Sequence, residues 1–391
     1  MLNTPFSPWP SFTQEEADSV SRVLLSNKVN YWTGDECREF EKEFAEWVGC
    51  KYSIALANGT LALDIALKAL GIQSGDEVIT TPRTFLASAS SIVNSGATPV
   101  FADVDLNSQA ITADSIESVL TSKTKAVIVV HLAGMPAEMD DIMALSEKHN
   151  FYVIEDCAQA HGAMYKGRSV GTIGHIGAWS FCQDKIITTG GEGGMVTTNV
   201  NRFWNTMWSY KDHGKNFDLV YRKQHPFGFR WLHDSFGTNW RMTEMQAVIG
   251  RIQLKRMPRW TVKRQENADQ ISQAISEFDL VRLVVVPDYI RHAQYKYYFF
   301  VRPEQLAQGW TRDRIVKEVS NRGVPIYQGS CSEVYLEKAF NDTPWRPVQR
   351  LRNAAELGST SVMLLVHPTL TEAELAKTST VLREVLEMAT L

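Results

Sequence analysis

Apolar positions along the chain follow two periods in turn. Residues 14–28 place Ala17, Val20, Val23 and Leu24 at helical spacing, and residues 34–48 repeat it with Phe40, Phe44 and Trp47 among charges. From residue 53 onward, short apolar runs of strand length alternate with helical stretches. Strands are predicted over 53–56, 75–82, 99–104, 125–130, 152–154 and 178–181, with helices over 61–70, 86–94 and 140–149. That alternation implies βαβ units and a mostly parallel sheet covered by helices on both faces. Ligands of such sheets sit at the carboxyl ends of the strands. Asn58 to Thr60, Phe85, His131, Asp156 and Lys185 all fall at those ends.

The later chain is patterned differently. Residues 200–235 are rich in Trp, Tyr, His and Lys without clean periodicity, and read as an irregular excursion over the site. An amphipathic helix is predicted over 242–255. Beyond about residue 260 come a helix (265–278), strands (281–286 and 297–301), a helix (312–322) and a strand (324–327). A last helix, 372–388, opens on a capping box of Thr371 and Glu374. The division is therefore a large α/β domain over 1–260 and a smaller α+β domain over 261–391.

Composition narrows the class. The 391 residues are 44% hydrophobic and 21% charged, ordinary for a globular protein, and the net charge of −4 offers no basic excess for nucleic acid. The longest apolar runs are strand-sized, so no membrane span is expected, and Met1–Pro5 lacks the features of a secretion leader. Five scattered cysteines (37, 50, 157, 182 and 331) form no CxxC pair, which suggests reduced thiols and a cytoplasmic protein. Cys157 and Cys182 read as small buried fillers.

Candidate chemistry centres on residues 180–194, where the strand end Ser180-Phe181 leads through Lys185 into Thr189-Gly-Gly-Glu-Gly-Gly194. A lysine half-withdrawn from water at a strand end suits Schiff-base chemistry with an aldehyde or ketone. A surface lysine before a glycine hairpin is the plain alternative. Gly59-Thr60 opens a helix after a strand, where free amides and the helix dipole favour a phosphate. With Phe85 as a stacking ring, Asp156 as an acid and Ser180 as a hydroxyl, the set matches what pyridoxal 5'-phosphate requires. His131 and His161 fit satisfied histidines better than ligands. Arg83 has the fork for a carboxylate or phosphate, and equally suits a salt-bridged loop.

At these positions the chain resembles the DegT/DnrJ/StrS sugar aminotransferases, of the aspartate aminotransferase fold (fold type I). The likeness covers nearly the whole chain: Asn58-Gly-Thr60, Thr84-Phe85, Gly96-Ala97, Glu155-Asp-Cys-Ala-Gln159, Ser180-Phe181, Lys185, the glycine turn to Gly194, and Asn239-Trp-Arg-Met-Thr243 with Gln246-Ala247. The resemblance implies that Lys185 forms the Schiff base and shuttles protons, and that Asp156 pairs with the pyridine nitrogen. It implies contacts of Gln159 with the ring hydroxyl, of Phe85 with the ring face, and of Gly59, Thr60 and Ser180 with the phosphate. Asn239 would reach the phosphate of a neighbouring subunit, making a homodimer with shared sites. His213 and Tyr327 lie in segments that face the sugar in relatives. The reaction implied is amination of a keto-sugar, with glutamate as donor and a nucleotide-linked keto-hexose as acceptor. Two alternatives remain: an unlinked acidic sugar, 8-keto-3-deoxy-octulosonate, to which Arg83 lends weight, and a catalytically silent cofactor-binding regulator.

Overall fold

A computed structural model describes residues 5–391; Met1–Thr4, part of the stretch read above for a leader, lies outside the described residues. The first half builds a seven-stranded sheet from β1 (Tyr52–Leu56), β2 (Glu77–Thr80), β3 (Thr98–Phe101), β4 (Thr124–Val130), β5 (Tyr152–Asp156), β8 (Ile176–Ser180) and β9 (Gly194–Thr198). A small hairpin, β6 (Met164–Tyr165) and β7 (Arg168–Ser169), interrupts them between β5 and β8. The order across the sheet is β1-β9-β8-β5-β4-β2-β3. Only β9 runs antiparallel to its neighbours; β8, β5, β4, β2 and β3 pair in parallel. The expected mostly parallel, mixed sheet is therefore present.

Parallel strands buried on both faces read as near-continuous apolar runs, with polar residues confined to their ends. Residues Ala126 to Val130 of β4 and Val153 to Asp156 of β5 are all buried. The helix Gly59–Ala69 covers one face with Ala62, Ile65 and Ala66, while Met139, Ile142 and Leu145 of the helix Met139–His149 pack on the other.

The excursion expected over 200–235 begins instead as a regular helix, Asn201–Lys211. Its residues Phe203, Met207 and Trp208 are buried against the sheet, and packing supplies what the aromatic-rich sequence lacks in intrinsic propensity. The helices expected over 242–255 and 265–278 are one 32-residue helix, Glu244–Ile275, which runs through Pro258. Leu254 and Met257 before the proline and Arg264 and Ala268 after it are buried, so side-chain packing on both sides holds the helix across the missing N–H. It also crosses residue 260, so the chain passes from the large sheet to the smaller one inside a helix.

The C-terminal part builds a second sheet in the order β10-β12-β14-β13 from β10 (Val281–Leu283), β12 (Tyr297–Val301), β13 (Ile326–Tyr327) and β14 (Ser361–Leu364). The two-residue β11 (Ile290–Arg291) instead joins the β6–β7 hairpin. The last helix, Glu372–Ala389, opens on the expected Thr371–Glu374 capping box. Its apolar side packs with Phe299, Ile315 and Val362 in a separate core. The N-terminal segment lies here too: Trp9 stacks on His367, and Phe6 packs against the same core.

Candidate active site

The carboxyl ends of β4, β5 and β8 open into a cavity of about 1200 Å³. Asn58, Gly59, Thr60, Phe85, Asp156, Gln159, Ser180, Lys185 and Tyr327 all line it, together with Ser88, Tyr295 and Lys296. Most of the candidates are thus brought together from elements far apart in the chain.

Its floor is a helix start. Asn58 caps the helix by accepting from the Leu61 amide at 3.0 Å, which leaves neighbouring amides of the first turn pointing outward. Close approach explains two glycines. A Cβ on Gly59 would stand 2.5 Å from the Ser180 Cβ, and one on Gly194 would stand 2.3 Å from the Asn58 carbonyl oxygen. Without side chains at both places, the helix start and the Ser180 hydroxyl converge on one spot, as a phosphate cradle requires. The Phe85 ring is 74% exposed in the cavity, an unusual setting for a large apolar ring and one suited to a planar ligand.

Asp156 ends β5 and is 7% exposed. It accepts from the Ser88 hydroxyl at 3.0 Å and from the Ala158 amide at 3.2 Å, and Ser88 in turn meets Thr84 Oγ1 at 2.9 Å. Burial pushes this carboxyl above its ordinary value, while those donors and the nearby Lys185 charge pull it down. Such a group gains from a cationic ring N–H placed against it. Gln159 accepts from the Ala133 amide at 2.8 Å, which anchors its side chain, and it lines the same cavity as Asp156.

Lys185 leaves the strand end with its amine 3.8 Å from Asp184 Oδ1 and 5.2 Å from the Tyr295 ring centroid. Its backbone carbonyl accepts from the Trp9 indole at 2.9 Å, so the N-terminal segment braces the lysine from behind. The residues present fit pyridoxal phosphate: a reachable amine, a buried acid, an open ring face and a helix start with a hydroxyl converge in one cavity.

The neighbouring Glu155 points the opposite way. It accepts from His131 Nε2 at 3.0 Å and from the amides of Gly171, Ile173 and Gly174 at 2.6 to 2.8 Å. Burial acts to raise its pKa, but His131 and these amides hold the carboxyl below the usual carboxylate value. His131 is thereby a satisfied structural histidine, its Nδ1 accepting from the Ala137 amide at 3.1 Å. His161 was also read as a satisfied histidine, and the structure differs. It is fully buried against Trp179 and Phe181, and neither ring nitrogen has a partner among the described residues.

Arg83, Asn239 and His213 are not on the wall of this cavity. Arg83 is 0% exposed: Nε donates to Gln109 at 3.0 Å, and Nη1 donates to the Ser332 hydroxyl at 2.8 Å and the Ser330 carbonyl at 3.4 Å. It lies behind the wall segment 329–331; among the described residues no carboxylate bonds to it and Nη2 has no partner. Asn239 and His213 are exposed, on a turn where residue 239 bridges to Asp212 and the His213 amide donates to Thr238. Sequence reasoning missed Ser88, Tyr295 and Lys296 on the cavity wall. Ser88 is one of three serines in the helix Ala87–Asn94, and nothing in their spacing singles it out, while Tyr295-Lys296 stands just before the predicted strand 297–301 and matches no motif.

Among proteins of known sequence, the profile of the DegT/DnrJ/EryC1/StrS aminotransferase family matches residues 10–383. The chain is 41% identical over 264 residues to GDP-perosamine synthase of Escherichia coli O157:H7, covering 66% of this chain and 68% of that protein. It is 35% identical over 390 residues to UDP-N-acetyl-3-dehydro-alpha-D-glucosamine 3-aminotransferase of Acidithiobacillus ferrooxidans, covering 98% and 96% of the two. Among solved structures, an aminotransferase from Psychrobacter cryohalolentis superposes with a TM-score of 0.97 at 63% identity, covering 98% of this chain and 99% of that one.

Proposed function

The chain belongs to the DegT/DnrJ/EryC1/StrS aminotransferase family, pyridoxal-phosphate enzymes that aminate sugars, and we propose that it moves an amine from glutamate to the keto carbon of a nucleotide-linked hexose. The observation that carries the reading is the convergence of Lys185, Asp156 and the Gly59-Thr60 helix start on one cavity. When bound, pyridoxal phosphate would supply an aldehyde reactive toward amines and an electron-withdrawing ring.

The chain's own groups do the rest. Lys185 Nζ takes the proton from the reacting carbon and returns it, a role that suits an amine aimed into a partly enclosed cavity. Asp156 holds a proton on the ring nitrogen, and the Gln159 amide donates toward the ring oxygen. Gly59, Thr60 and Ser180 bind the phosphate, and Phe85 covers the ring face. Tyr327, 45% exposed on the opposite wall, contacts the sugar. Arg83 supports that wall by holding Ser330 and Ser332, so it acts on substrate through them. The acidic-sugar alternative gains nothing from a guanidinium bonded in that direction, and a silent regulator would have no use for the intact Lys185 and Asp156.

The nucleotide is favoured by the relatives, whose names carry GDP- and UDP-linked sugars. The product serves surface polysaccharide such as lipopolysaccharide. The enzyme works in the cytoplasm, where its five free cysteines stay reduced. It acts as a homodimer in which Asn239 reaches the phosphate of the partner's site, with His213 on the same turn facing the partner's sugar. Phe227, Phe229, Trp231 and Phe236, all exposed in the preceding segment, offer apolar area that such an interface would cover.

The test is a panel of keto-sugars assayed with glutamate by release of 2-oxoglutarate. Turnover with a GDP-, UDP- or dTDP-linked keto-hexose is expected. Turnover confined to 8-keto-3-deoxy-octulosonate would overturn the nucleotide-linked reading.

A further inference from the structure

An α-amino acid donor differs from a keto-sugar in one respect that a binding site must answer. Its carboxylate is attached to the very carbon that loses the amine, one bond from the reacting atoms. A cation close to Lys185 would meet that need with a charge-assisted bond. Among the described residues that line the cavity, the cationic side chains are Lys185 itself and Lys296. The two are neighbours. Their amines lie 3.8 Å from opposite oxygens of one carboxylate, Asp184, and 5.2 and 4.7 Å from the centroid of one ring, Tyr295.

We propose that Lys296 holds the α-carboxylate of the amino donor. At 3.8 Å its contact with Asp184 is a charge pairing beyond hydrogen-bond length, and no acceptor among the described residues takes a hydrogen bond from its amine. The ammonium thus reaches the cavity with donors to spare, at 16% side-chain exposure, where a charge-assisted bond is strong. Asp184 keeps the site from carrying two uncompensated charges, and the Tyr295 hydroxyl, which donates to Asp184 Oδ2, fixes that carboxylate. With Lys185 engaged by the cofactor, Lys296 is the remaining cation on the wall among the described residues. Burial lowers the Lys296 pKa to about 8 against the pull of Asp184, so the ammonium form still predominates at neutral pH.

The proposal rests on the reading that an α-amino acid supplies the amine, and the experiment separates the two. The cofactor-loaded enzyme is first mixed with L-glutamate, and the donor half-reaction is followed by cofactor absorbance. The reverse half-reaction is then run with the aminated cofactor form and the keto-sugar acceptor. Lys296→Met and Lys296→Gln remove the charge; Lys296→Arg keeps it. Circular dichroism and the absorbance of bound cofactor establish that each variant is folded and loaded.

The half-saturating glutamate concentration is expected to rise about 10- to 100-fold in the two neutral variants, as for loss of a hydrogen bond to a charged group. The rise should exceed any change in the acceptor half-reaction by at least about tenfold, with Lys296→Arg recovering part of it. Equal losses in both half-reactions, or a glutamate requirement that does not move, would overturn the assignment. Should the wild-type enzyme take no amine from glutamate or any other α-amino acid, the donor reading itself fails, whatever the variants do.

Discussion

Gly59→Ala tests the cradle at its narrowest point. The added methyl would meet the Ser180 Cβ at 2.5 Å, its Cα at 2.9 Å and its Oγ at 2.9 Å. Carbon atoms in comfortable contact stand about 3.5–4.0 Å apart, so the helix start and the end of β8 must separate by roughly 1 Å. Two of the three contacts are with atoms fixed to the sheet, so no rotamer change relieves them. Overpacking of this kind costs about 1–3 kcal/mol of stability. The displacement also falls where the amides of residues 59–60 and the Ser180 hydroxyl converge, and a misplacement of about 1 Å in a positioning site can cost about 100-fold. Pyridoxal phosphate affinity, titrated by absorbance, should weaken by about 10- to 100-fold, and chemical denaturation should show the stability loss. Adding Ser180→Gly removes the Cβ and Oγ obstacles and should recover stability, though not the hydroxyl's contribution to binding. Wild-type affinity and stability in Gly59→Ala would refute the idea that this glycine exists for close approach.

Three further outcomes follow from the same geometry. Asp156→Asn keeps the side-chain size and the bond from Ser88, and should slow amine transfer at least about 100-fold with a melting temperature near wild type; near-normal turnover would reduce Asp156 to a strand-end residue. His161, held near a pKa of about 3 by burial and by the nearby charges of Lys185 and Arg264, stays neutral in the fold yet protonates near its ordinary 6.5 when unfolded. Its contribution is complete above pH 6.5 and lost as pH falls toward 3, by about 1.4 kcal/mol per pH unit. His161→Phe should therefore flatten the pH dependence of unfolding across that window, and an unchanged slope would contradict the assigned burial cost. Mixing inactive Lys185→Ala with an inactive Asn239→Ala enzyme should regenerate sites that carry neither lesion; mixed dimers without recovered activity would count against shared sites.

The parts legible in the sequence were those written as local pattern. Apolar runs of strand length gave the parallel sheet, and strand-end positions gave Asp156, Ser180 and Lys185, because parallel topology forces such ends to one edge. The helix Asn201–Lys211 was hidden by its composition, since Trp and Tyr are indifferent helix formers and the burial of Phe203, Met207 and Trp208 against the sheet decides the matter. The helices expected over 242–255 and 265–278 are one, because side chains buried on both sides of Pro258 hold the helix across it. Lys296 could not be found by period or motif. It stands far along the chain from Lys185, and only the packing of the second sheet against the cavity places both amines about a single carboxylate. Arg83 showed the converse difficulty, because its residue type suggested a ligand contact and its bonds to Gln109 and Ser332 lie behind the wall.

The most direct measurement of the central claim follows the nitrogen itself. Glutamate carrying heavy nitrogen is incubated with the loaded enzyme and a nucleotide-linked keto-hexose that it turns over, and the sugar product is weighed by mass spectrometry. The wild-type enzyme should place the heavy nitrogen on the sugar with one 2-oxoglutarate per product, and Lys185→Ala should yield none. Unlabelled amino-sugar from the wild type, or labelled product from Lys185→Ala at a comparable rate, would contradict the account.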